Sequence, residues 1–296
     1  MRGTRAQSFL AEWPWWLVPA LLSLALALYF VDPFIGDWDA LDYTVLALRG
    51  KPSSMLFGRS LFIFYNHALW LAAHAVFNLP PEKAYLVFKY AVVAQSPLAV
   101  VVWWRLAREL TKSVEAATIA ALLLAFSSFF ILYSGQVMTE IPSILLLGAS
   151  LLVHLRGLQR QSIPLVIAGA ALLGLCVNLR ETTALYGVWL VLAPLICGWK
   201  RGRREIAIIA LACLIFLLFA LGGFAFFYFG NVDNYRGEWH GWLESMRVES
   251  ARHPVQLANL WTLLWYFLLA APVALVVFPL AAWREFRNHG ASPLLL

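Results

Sequence analysis

Charge is what this sequence has least of. Only 13% of its 296 residues are Asp, Glu, Lys or Arg, where an ordinary soluble domain carries roughly 25%. Hydrophobic residues make up 62%. So little polar side chain cannot cover a water-exposed surface, and a mean hydropathy of +0.75 excludes a disordered chain. A nucleic-acid role is excluded with it, although the pI is near 9.4. Cysteine is scarce too. Cys176, Cys197 and Cys213 lie in or beside apolar runs without CxxC spacing, so no disulfide or zinc framework is indicated. The chain has no P-loop, GxSxG, HExxH or repeated GxxxG. It has no obvious half-to-half repeat of interrupted helices either, which weakens a secondary-transporter reading.

What is there is a series of long apolar runs. Roughly 20 helical residues cross a 30 Å hydrocarbon core. Runs of that order occupy 14–31, 84–104, 115–133, 138–155, 163–179, 183–199, 205–229 and 258–283. The first follows Met-Arg-Gly-Thr-Arg and reads as a retained span rather than a cleaved signal, because so many others follow it. A ninth run, 60–79, carries Ser60, His67, His74 and Asn78 at near-helical spacing. That polar stripe suits an amphipathic helix lying in the interface.

The distribution of basic residues sets the direction. With 60–79 left uncrossed, one side holds 13 of the 22 Lys and Arg with five carboxylates, a net of +8. The other side holds nine basic and eleven acidic residues, net −2. The expected protein is therefore an all-α integral membrane protein. It forms a single domain, 1–296, of about eight transmembrane helices plus an interfacial amphipathic helix, with both termini in the cytoplasm. Trp13, Trp15, Trp16, Trp103, Trp104, Trp199 and Trp283 fall at cytoplasmic span ends, as an aromatic belt should. Two outer segments are long: a first outer loop, 32–83, and a last outer loop, 230–257. Outer loops this unequal concentrate function on the outer face.

The densest acidic cluster opens the first outer loop: Asp32, Asp37, Asp39 and Asp42. Asp37 and Asp39 share a face if extended and diverge on a helix. A carboxylate in a partly dry cleft could serve as a base, and two could hold a divalent metal; a solvated acidic loop would look the same. Glu140 stands in the first turn of the fourth run, where it complements the helix dipole. It is also an ionisable group near the membrane, which marks a candidate site. Arg180, followed by Glu181, ends the fifth run. It reads either as an interfacial ion pair or as an Arg whose fork matches a phosphate. Lys89, about one turn inside the second run, either snorkels or contacts a phosphate. His67, His74, His240 and His253 carry no specific signal.

These residues stand in a familiar succession. Gly36-Asp-x-Asp-x-x-x-Tyr43, with Ala47, Gly50 and Pro52, follows a span and precedes an amphipathic apolar helix. Trp104-Arg-Leu-Ala-Arg-Glu-Leu comes next, then Ser127 to Glu140 with its Tyr-Ser pair, then Gly169 to Arg180. The order resembles the C-type membrane glycosyltransferases over about residues 10–200. More narrowly, it is similar to the branch of protein O-mannosyltransferases and lipid A aminoarabinose transferases. Two departures stand out. Gly58 to Phe64 lacks the family's proline-rich stretch. Ending at Leu296, the chain reads either as a compact member or as one cut short of its acceptor-binding parts.

The resemblance implies an inverting glycosyltransferase that takes its sugar from a polyprenyl-phosphate donor and passes it to a hydroxyl of a lipid, glycan or protein acceptor. It maps the catalytic base onto Asp39, a flanking acidic position onto Asp37, and the acidic residue after the third span onto Glu140. Lys89 and Arg180 are then the candidates for the donor phosphate. No cofactor is firmly implied; a divalent metal, if used, would draw on Asp37, Asp39 and Glu140. The expected location is a bacterial or archaeal plasma membrane, among membrane lipids, with the active site on the outer face. The rival reading is a lipid-linked sugar flippase or transporter, against which the near absence of mid-span charge argues.

Overall fold

The computed structural model describes residues 12–31, 34, 36–53, 59–196 and 202–252, together with 261, 262 and 265. Helices make up this part, with no β-strand among the described residues. Helix α1, Trp13–Tyr29, starts on a proline in its first turn, where a missing N–H costs nothing. Helix α2, Trp38–Arg49, is capped by Asp37 and closed by Gly50 at φ 63°, a left-handed conformation that glycine adopts without strain. Helix α3 is Ser60–Phe77. Helix α4, Ala84–Thr111, is seven residues longer at its C-terminal end than the expected span 84–104.

The expected span 115–133 is not one helix. It breaks into α5, Val114–Ala125, and α6, Ser128–Ser134, bent by 61°. Ser127 takes an extended ψ of 127° between them. Adjacent serines, whose hydroxyls compete for backbone hydrogen bonds, are a weak place in a helix. Helices α7, Glu140–Gln159, and α8, Ile163–Val177, follow expectation. The run 183–199 does not: among its described residues, Glu181–Val188 is a 3₁₀ helix and Trp189–Ile196, α9, is α-helical. Thr183 donates its hydroxyl to the Arg180 carbonyl at 2.7 Å, a local bond that favours the tighter turn. Helix α10 is Arg203–Gly230. The segment 230–257 is largely helical, as α11, Tyr235–Arg252. The expected span 258–283 lies outside the described residues, apart from three isolated positions.

Among the described residues, four helices are long and apolar enough to cross a membrane: α3, α4 with the short turn before it, α7 and α10. The bent pair α5–α6 makes a fifth if it is one broken span, and Trp13–Tyr29, Ile163–Val177 and Glu181–Leu195 are shorter apolar helices. Helices α7, α8 and α10 approach closely. A Cβ on Gly169 would lie 2.6 Å from the His154 Cβ, and one on Gly174 would lie 2.5 Å from the Phe216 carbonyl. Small residues at such contacts let helices associate where lipid offers no hydrophobic drive.

Charged side chains sort to two ends. At one, Arg108 pairs with Glu12 at 3.0 Å, and Glu109 gathers Arg105, Lys112 and Arg156 at 3.3–3.5 Å. At the other, Arg180 pairs with Glu140, Arg59 with Glu181, and Lys51 with Asp233. Among the described residues no ion pair joins the residues expected inside to those expected outside. Helix α3 begins at this second end, where the Leu61 N–H reaches the Asn178 carbonyl at 3.2 Å. Six residues separate α3 from α4, which near its start reaches the Phe34 carbonyl through Lys89. The polar stripe of α3 meets protein: His67 Nδ1 bonds the Ala47 carbonyl at 2.7 Å and His74 Nδ1 the Leu79 carbonyl at 2.8 Å.

Candidate active site

The acidic segment enters helix α2, so Asp37 and Asp39 part company. Asp37 is the N-cap, in extended conformation, and its Oδ1 accepts from the Asp39 N–H at 2.8 Å. That bond satisfies one of the orphan donors of the first turn. Asp39 is half-buried in that first turn, and among the described residues its carboxylate accepts no hydrogen bond. Asp42, one turn further on, has its carboxyl pushed above the usual range by partial desolvation and then by the charge of Asp39. Tyr43 seats the helix: its ring is fully buried, edge-on to Phe62 at 5.4 Å. The Arg59 guanidinium lies 5.5 Å from the centre of that ring, a cation–π arrangement.

Glu140 opens α7, and Arg180 follows α8 by two residues. The short loops that join consecutive helices bring both to one end of the bundle, where Arg180 Nη1 donates to Glu140 Oε1. Glu140 is the more buried partner, with 13% of its side chain exposed against 32% for Arg180. Its second oxygen, Oε2, is buried and has no hydrogen-bond partner among the described residues. Part of the Arg180 fork therefore faces outward while Glu140 holds it in place. Glu181 does not pair with its neighbour Arg180. It meets the Arg59 fork instead, Nε to Oε2 at 3.3 Å and Nη2 to Oε1 at 3.2 Å.

A cavity of about 280 Å³ opens beside this pair. Leu124, Phe129, Phe130, Ile141 and Ile144 form its apolar wall, with Ser127, Tyr133, Glu140 and Arg180 adding the polar part. Among the described residues, Tyr133 is the one phenol on the cavity wall. Its phenol lies in the field of Glu140, Arg180, Asp37 and Asp39 together. Glu140 and Arg180 thus share a cavity with Tyr133, and Asp37 and Asp39 act on its phenol from further along the same end.

Lys89 stands apart. It is 2% exposed, so it does not snorkel, and its ammonium donates to the Phe34 carbonyl at 2.6 Å. It ties the start of the acidic segment to α4. Among the described residues no three His, Cys, Asp or Glu side chains group as metal ligands. Asp37 spends Oδ1 on the helix cap and Glu140 spends Oε1 on Arg180. Arg59 and the place of Tyr133 on the cavity wall were not foreseen. Arg59 is a lone basic residue before an apolar helix, and Tyr133 sits in an otherwise unremarked Tyr-Ser pair; only the folded packing brings either to the site.

Residues 66–222, just over half of the chain, match the family described as dolichyl-phosphate-mannose-protein mannosyltransferase. The chain belongs to this mannosyltransferase family. It is a membrane glycosyltransferase of the mannosyltransferase type, and the family in general implies a lipid-linked sugar donor and a glycan or protein acceptor. The match spans Lys89, Tyr133, Glu140 and Arg180 but starts after Asp37, Asp39 and Arg59. No curated protein and no solved structure matches the chain.

Proposed function

We propose that this mannosyltransferase-family protein is an inverting enzyme that moves a sugar from a polyprenyl phosphate to an acceptor hydroxyl on the outer face of the plasma membrane. The observation that carries the reading is the cavity: apolar on one wall, with Arg180 and Glu140 at its charged edge. That is the shape of a site for an amphiphile with an isoprenoid chain and a phosphate. The net −2 of the outer segments against +8 inside supports the orientation. The contacts at the start of α3, Leu61 with Asn178, and near the start of α4, Lys89 with Phe34, support an interfacial position for α3.

Asp39 takes the proton from the acceptor hydroxyl as its oxygen attacks the anomeric carbon. The carbon–oxygen bond to the lipid phosphate breaks on the opposite face, and the phosphate departs with the bonding pair. Arg180, oriented by Glu140, stabilises the charge that develops there. Asp37 caps the helix that carries Asp39. Lys89 holds the approach to that helix rather than the phosphate.

Transfer from a polyprenyl-phosphate mannose by the purified protein tests this. Asp39→Asn should cut kcat by about 10²- to 10⁴-fold, the usual worth of a general base, with donor binding kept. Arg180→Ala should lower kcat more than Lys89→Ala does. Full activity in Asp39→Asn would overturn the base assignment.

A further inference from the structure

Inverting displacement sets where the sugar must lie. The base and the departing phosphate stand on opposite faces of the anomeric carbon, so the sugar ring lies between Asp39 and Arg180. Tyr133 stands at the phosphate end of that interval, beside Glu140 and Arg180, with Asp37 and Asp39 near enough to act on its phenol electrostatically. It also lines the cavity. The ring is fixed by stacking on Phe129, with centroids 6.4 Å apart and planes 15° from parallel. Helix α6 sets its position, and the 61° bend at Ser127 aims that helix away from the line of α5.

The hydroxyl of Tyr133 makes no hydrogen bond among the described residues, although the side chain is only half exposed. Hydroxyls lined up along a buried helix usually spend themselves on a carbonyl one turn back, as Ser134 does on Phe130 at 2.5 Å. Tyr133 is too long for that bond. It is left with a donor and two acceptor positions at the rim of the cavity.

We infer that Tyr133 is a substrate-contacting residue, whose phenol hydroxyl hydrogen-bonds a ring hydroxyl of the transferring sugar between the base and the phosphate. This rests on the reading of the donor proposed above. Its worth is that of one neutral hydrogen bond to a bound pyranose. A site built to meet a hydroxyl rejects the analogue lacking it, because the protein group is left unpaired.

The test is a cycle of enzyme against substrate. Wild type and Tyr133→Phe are assayed with polyprenyl-phosphate mannose and with each of its mono-deoxy analogues. Phe keeps the stacking on Phe129 and removes only the oxygen. The expected result is a loss of kcat/KM of roughly three- to tenfold for Tyr133→Phe on the full sugar. One mono-deoxy donor should then be used equally by the two enzymes, because its partner hydroxyl is already gone. If Tyr133→Phe matches wild type on the full sugar, or if every deoxy donor loses the same factor in both enzymes, the contact is overturned while the donor reading stands. A folded wild type that transfers no sugar from any polyprenyl phosphate overturns both.

Discussion

At the scale of single residues, two aspartates two positions apart have different environments. Asp37 spends an oxygen on the Asp39 amide; Asp39 keeps its carboxylate unbonded among the described residues. Sequence spacing alone made them alike, because it does not say where a helix starts. Stability and activity should therefore separate. Asp37→Ala should cost about 0.5–2 kcal/mol, the worth of an N-cap, seen as a lower unfolding temperature in detergent. Asp37→Asn, which caps as well, should be near wild type in stability, and Asp39→Asn should leave the unfolding temperature unchanged. Equal destabilisation by Asp37→Ala and Asp39→Asn would show that the cap is not what distinguishes them. The Arg180–Glu140 pair had two readings in sequence, a structural pair with Glu181 or a waiting phosphate ligand. Packing chose a third arrangement, with each of Arg180 and Glu181 bonded to a distant partner.

At the scale of elements, most helices were legible because lipid demands long apolar runs with every backbone group paired internally. The failures have local causes. Ser127 breaks the third run, and Thr183, bonded to the Arg180 carbonyl, favours a 3₁₀ turn in the sixth. Average hydropathy over a window does not register such features. The glycines of α8 and α10 illustrate the difference between composition and contact. Gly174 faces the backbone of α10, whereas a Cβ on Gly222 would meet nothing within 4 Å. Gly174→Ala should cost about 1–3 kcal/mol through forced separation of α8 and α10. Gly222→Ala should be neutral or gain up to about 1 kcal/mol from helix propensity. Thermal unfolding of both variants in the same detergent decides it, and equal effects would place the helices further apart than described.

At the scale of the molecule, the two ends are defined by charge. Glu12, Arg105, Arg108, Glu109, Lys112 and Arg156 lock one end, and Arg59, Glu140, Arg180 and Glu181 assemble at the other. Single cysteines report which end faces out. In a variant with Cys176, Cys197 and Cys213 replaced by serine, a membrane-impermeant thiol reagent should label Lys51→Cys on intact cells. Lys112→Cys should react only after permeabilisation. The reverse pattern would invert the orientation and with it the face assigned to the chemistry.

The sequence by itself determined the solvent and most of the helices, and its charge bias set the expected direction of the chain. Those follow from transfer free energies and charge bias, which are properties of residues taken one at a time or in windows. It also placed Glu140 and Arg180 among the few charges at span ends. Only the tertiary structure decided that these two bond each other, that Glu181 turns to Arg59, and that Tyr133 lines one cavity with Glu140 and Arg180. Each of those contacts joins residues from different helices, and their distances depend on how neighbouring helices pack, down to which glycine lets a backbone come close.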